Sequence, residues 1–149
     1  MRISRHFTLS EALRSNTAKR KGISNKPSLN QFSNIVFCAA NMDRVRELLG
    51  RPIRPSSWLR VEELNRAVGG SKKSKHLEGC AVDFGSEWGD LNRVFNQILA
   101  SDIPYTKIIL EYPEEESSWI HIEFEKSSGK RALVASRSGS GKTVYSNVA

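Results

Sequence analysis

The chain has only three histidines in 149 residues, and one of them sits in the stretch SKHLEGCAVDFG, where His76 precedes Asp83 by seven positions with small residues between. A second, His121, lies in WIHIEF. Two imidazoles and one carboxylate form a complete protein ligand set for a catalytic zinc ion, with the fourth position left to water. Side chains alternate along a strand. In CAVDF that puts Asp83 on the face of Ala81, while Cys80, Val82 and Phe84 turn to the core. In WIHIEF it groups Trp119, His121 and Glu123, and in KIILEY it groups Lys107, Ile109 and Glu111. If these strands are neighbours in one sheet, Asp83, His121 and Glu111 share a cleft, and His76 enters from the loop before its strand. The competing reading is structural: a lone strand histidine is more often a surface or satisfied core residue, and an aspartate after small residues is often a turn former.

Several elements must position these groups. TLSE at residues 8–11 has the capping-box pattern of a short helix, and KRKGISNKPS after it reads as a polar connector. From Ser28 an apolar repeat runs through Leu29, Phe32, Ile35, Ala39, Met42 and Val45 to Gly50, which predicts a long core helix. The two prolines of RPIRPSSWLR predict an extended segment beside a sheet, and VEELNRAV predicts a short helix ending at GG. Three strands are expected, CAVDF, TKIILEY and WIHIEF, the last two as a hairpin, with the amphipathic helix DLNRVFNQILA between the first two. The Ser-, Gly- and Lys-rich end predicts one final short strand and then a tail, giving one domain over residues 1–135 and a flexible basic tail over 136–149.

Composition narrows the function. Apolar residues make up 38% and no segment approaches the roughly 20 apolar residues of a membrane-spanning helix. Cys38 and Cys80 suit buried, reduced thiols rather than a disulfide framework. The N-terminus lacks a signal-peptide pattern, so synthesis in a cytoplasm is expected. A net charge of +7 favours an anionic partner. GSGKT at residues 139–143 lacks the first glycine of a phosphate loop, because Ser136 stands there. His6 has no partner at ligand spacing.

The order Ser74, His76, Gly79, Ala81, Asp83 fits S-x-H-x-x-G-x-A-x-D, and with WIHIEF it resembles the zinc D-Ala-D-Ala carboxypeptidase family of peptidoglycan peptidases. That family includes D,D-dipeptidases and phage L-alanyl-D-glutamate endolysins. HFTLSEAL, SSWLRVEELNRAVGGSKKSKH and ILEY look like its single-domain phage-type members, so the resemblance spans roughly residues 5 to 125.

The resemblance implies an α+β fold, a small antiparallel sheet flanked by helices, with a zinc cleft on one sheet face. It implies zinc on His76, Asp83 and His121, and Arg60 facing the cleft to meet a substrate carboxylate or carbonyl oxygen. A forked, permanently charged guanidinium suits either group; the alternative for Arg60 is a surface ion pair with Glu62 or Glu63. Many relatives carry an acid three positions before the last histidine, where this chain has Ser118. Glu111 matches the glutamate of the ILEY-type strand and is the expected catalytic base, with Glu116 as the second candidate. Ser74 and Trp119 are expected at the substrate, with loop-orienting and core roles as their alternatives, and Asn65 as support for Arg60. Glu123 reads as a solvated strand residue or as a partner of His121.

The expected function is thus a zinc peptidase that cuts peptidoglycan stem or cross-link peptides. The partners are the peptide and anionic cell wall, with no specific nucleic acid. A monomer is expected, acting at the wall or periplasm after release. The alternatives are an inactive cell-wall-binding module and a nucleic-acid binder.

Overall fold

The computed structural model describes residues 1–127 and 129–148. Helices α1 (Leu9–Leu13), α2 (Asn16–Lys21), α3 (Leu29–Leu49) and α4 (Glu62–Ala67) come first, followed by a 3₁₀ turn at Lys75–Glu78. Strand β1 (Ala81–Phe84), helix α5 (Leu91–Leu99) and strands β2 (Lys107–Glu111), β3 (Trp119–Glu123), β4 (Arg131–Arg137) and β5 (Thr143–Asn147) complete the chain.

The long helix forms where the apolar repeat predicts it. Ser28 and Gln31 make a reciprocal capping box, and Gly50 ends the helix in the left-handed conformation with φ +65°. The connector expected after α1 is non-helical over residues 22–28, but an unexpected short helix, α2, precedes it and takes in its first three residues, 19–21: Ser15 caps α2, Gly22 closes it, and only Ala18 is buried. A one-turn helix made by its caps carries no apolar stripe, which is why periodicity misses it.

The sheet order is β1-β3-β2-β4-β5. The expected β2–β3 hairpin forms, and β1 pairs with β3, both antiparallel. β4 pairs with β2 in parallel, so the sheet is mixed rather than wholly antiparallel. Topology dictates this. The chain leaves β3 at Glu123 beside Lys107, the start of β2, and the free edge of β2 lies on the other side. A strand that begins there, with Arg131 opposite Lys107, must run with β2. β5 then folds back onto β4, through a turn in which Gly141 has φ +83°. Residues 136–148 are therefore a paired hairpin and not the expected free tail; Ala149 lies outside the described residues.

The two sheet faces differ in character. Ile35, Cys38, Ala39, Met42 and Val45 of α3 and Val94, Phe95 and Ile98 of α5 pack with Val82, Phe84, Ile108, Leu110, Ile120 and Ile122 in one core. Both cysteines are buried and free. On the opposite face Ile109, Leu133 and Ala135 form a small separate cluster. Residues 56–60 run beside the edge of β1 as expected: the Ser56 amide donates to the Asp83 carbonyl and the Asp83 amide to that of Ser57, each at 2.8 Å.

Candidate metal centre and active site

The 3₁₀ turn delivers His76. Ser74 Oγ accepts the His76 amide at 3.2 Å, which caps the turn. Gly79 ends it with φ +78°, where a Cβ would come within 2.9 Å of the Ile35 side chain and 3.0 Å of the Gln31 carbonyl; both conformation and space demand glycine at that position of the motif. The imidazole is 1% exposed. Its Nδ1 donates to the Trp58 carbonyl at 2.7 Å, and Trp58 is itself anchored by its indole N–H to the Gly79 carbonyl. That bond turns Nε2 towards Asp83. Nε2 is buried without a hydrogen-bond partner and lies 3.1 Å from Asp83 Oδ2.

Asp83 and His121 are direct cross-strand partners of β1 and β3. His121 Nδ1 is 2.9 Å from Asp83 Oδ1, and its Nε2 is 2.7 Å from Glu123 Oε2. Burial pulls the His121 pKa down, but its bonds to Asp83 and Glu123 win and raise it to about 9. Burial pushes the Asp83 carboxyl up, yet the charge of His76 and the hydrogen bond from His121 hold it well below the ordinary carboxylate range. Glu123 is likewise lowered against its burial by the hydrogen bond from His121. It is 4% exposed, so the partner reading of Glu123 replaces the solvated one.

A donor set of this kind fits a metal cation. One ligand atom each from His76, Asp83 and His121 lies within 4.8 Å of the others, and zinc bonds of about 2.0–2.2 Å would place such atoms roughly 3.3 Å apart. The Nε2 of His76 facing a carboxylate oxygen is compatible with the same reading: a nitrogen and an oxygen 3.1 Å apart need a proton or a metal cation between them. A carboxylate behind the second imidazole, as Glu123 is, fixes the ring and raises its basicity.

The remaining groups line a cleft of about 480 Å³ over this cluster, Arg60, Ser74, Glu111 and Trp119 among them. Arg60 is tied by its amide to the His76 carbonyl at 3.0 Å and by Nη1 to Asn65 at 3.3 Å. Asn65 in turn donates to the Ser71 carbonyl. Gly70 makes room for this cradle, since a Cβ there would fall 2.0 Å from Asn65 Oδ1. The surface alternative for Arg60 is not what the structure has, because Glu62 pairs with Arg66 and Arg60 Nε is buried without a partner.

Glu111 ends β2 and is 7% exposed. Burial is the main cause that raises its carboxyl to about 7, with the Asp83 charge adding to it. Ser118, three positions before His121, donates to the Glu111 carbonyl at 2.7 Å and so holds the backbone of that glutamate. Tyr112, the next residue, has φ +51°, and its amide donates to the Ala135 carbonyl of β4 at 2.8 Å. Glu116 is exposed and faces a different hollow beside Trp88.

A family model described as Peptidase M15 matches residues 5–123. The chain belongs to the Peptidase M15 family. No match was found among curated proteins. M15 peptidases are zinc-dependent and act on peptidoglycan, and the His76, Asp83 and His121 cluster could bind such a metal. The M15 match ends with β3, yet Arg131, Leu133 and Tyr145, from β4 and β5, also line the cleft. Sequence reading missed these three together with the Trp58 carbonyl. No helix among the described residues is long and apolar enough to cross a membrane.

Proposed function

We propose that this chain is a zinc peptidase that hydrolyses an amide bond of peptidoglycan stem or cross-link peptides, in the manner of an endolysin or a D,D-carboxypeptidase. The observation that carries the reading is the unpartnered His76 Nε2, aimed at Asp83 with His121 on the other carboxylate oxygen. Zinc held by these three residues would polarise the scissile carbonyl and lower the pKa of a water.

Glu111 takes the proton of the attacking water. A carboxyl raised to about 7 can accept a proton and release it again near neutral pH. As the C–N bond breaks, the same carboxyl returns that proton to the leaving nitrogen, so the two products are a carboxylate and an amine. Arg60 meets the negative charge that develops on the carbonyl oxygen, or a substrate carboxylate, with donors that are held in place before substrate arrives. Trp119 and Ser74 form walls of the cleft, Ser74 also capping the turn that carries His76. The +7 charge would concentrate the enzyme on an anionic wall.

The test is mass spectrometry of fragments released from purified peptidoglycan, with zinc added and again with a chelator. Release that stops with chelator supports the proposal and identifies the bond. No release from varied walls by zinc-loaded protein would replace it with an inactive wall-binding module.

A further inference from the structure

The strand registers arrange the cleft floor in rows that continue past the metal cluster. Across the sheet, Asp83 lies opposite His121, His121 opposite Ile109, and Ile109 opposite Leu133. One flanking row runs from Glu111 through Ala135 to Tyr145. The other runs from Glu123 through Lys107 to Arg131. An apolar strip of Ile109 and Leu133 therefore leads away from the cluster along the cleft, with cations on one side and an aromatic ring on the other. Tyr145 is 57% exposed although it lines the cleft. Lys107 Nζ lies 3.7 Å from Glu123, but Arg131 is exposed and has no ion-pair partner among the described residues.

We propose that β4 and β5 build a substrate subsite for an extended peptide whose free carboxylate, two to three residues from the scissile amide, is bound by Arg131 and Lys107. The proposal rests on the peptidase reading above for the position of the scissile amide. Its basis is charge complementarity and continuity with the cleft. From β3 to β4 is two strand spacings, roughly 10 Å, which an extended peptide covers in about three residues. Small side chains of that peptide lie on Ile109 and Leu133, and Tyr145 covers them from the side. Arg131, Leu133 and Tyr145 of the subsite lie beyond the residues that the M15 model matches, whereas Lys107 and Ile109 lie within them.

Binding can be read without turnover by calorimetry of the full chain in chelator. The probes are the stem pentapeptide alanine–glutamate–lysine–alanine–alanine with free carboxylates and the same peptide with both carboxylates amidated. The free acid should bind about tenfold more tightly than the amide, the share of one charge-assisted hydrogen bond. Arg131→Gln should shrink that difference to the share of Lys107, and Tyr145→Ala should weaken both peptides about threefold. Equal affinities for the two peptides, a preference unchanged in Arg131→Gln, or no binding at millimolar peptide would overturn the subsite. Hydrolysis of the free acid by the zinc-loaded chain is scored separately. Preference without hydrolysis would sink the peptidase reading and leave the subsite standing, whereas hydrolysis without preference does the reverse.

Discussion

Replacing Glu111 by glutamine separates catalysis from stability. The carboxyl is 7% exposed, and folding raises its pKa from the ordinary 4.5 to about 7, chiefly through burial. A folded-state pKa above the unfolded one means that the folded protein holds the proton more tightly. The contribution of Glu111 to stability is therefore fully present below pH 4.5 and is lost as pH rises through 7. At about 1.4 kcal/mol per pKa unit the full shift corresponds to roughly 3 kcal/mol, and partial access to cleft water reduces this to about 1–2 kcal/mol. Glutamine has nearly the same shape and no charge. In chelator, Glu111→Gln should match the wild type at pH 4.5 and exceed it at pH 8 by about 1–2 kcal/mol, a melting shift of roughly 2–8 °C. The assay is thermal and urea unfolding of both proteins across that range, and the difference between them cancels His121 and the other shared titrations. The same variant, loaded with zinc, should lose about 10²–10⁴ in kcat if Glu111 is the base. Parallel pH–stability curves for the two proteins would refute the burial argument, and unchanged kcat would refute the assignment of the base.

Glu123→Gln should weaken zinc binding about 10–100-fold by removing the carboxylate behind His121, measured by competition with a chromogenic chelator; an unchanged affinity would return Glu123 to a merely structural role. Arg60→Lys keeps the charge but loses the fork held by Asn65, and should cut kcat/KM about 10²-fold, read from steady-state kinetics on the identified bond. Ser118→Ala deletes the buried bond to the Glu111 carbonyl and should cost about 1–2 kcal/mol in urea unfolding, with kcat falling while zinc affinity stays the same.

Much of this architecture is legible in the chain because burial writes itself into spacing. The α3 repeat, its serine cap and its closing glycine coincide with what the helix needs, and the strands that carry Asp83, Glu111 and His121 read as short apolar runs, β3 alternating over its first four residues and β2 buried on both faces. The misses share one cause. α2 buries a single alanine, and β5 lies at the sheet edge with nearly every residue exposed. Such elements are held by caps and by a partner strand rather than by an apolar face of their own. Glu123 was hard to read for the opposite reason. Alternation correctly put it on the polar face, but that face is the floor of a cleft and not open solvent. The Trp58 carbonyl leaves no trace in side-chain identity at all, because the backbone supplies the bond.

The direct pairing of Asp83 with His121 also bears on how the chain reaches its native state. Strand side chains alternate, so sliding β3 by one residue would turn His121 into the core and bring isoleucine to the cleft in its place. A metal that requires both donors is therefore blind to every odd-numbered misalignment. Held as proposed, zinc would lower the free energy of one alignment alone. The cluster would then act as a proofreader of strand pairing during folding, before any peptide is bound.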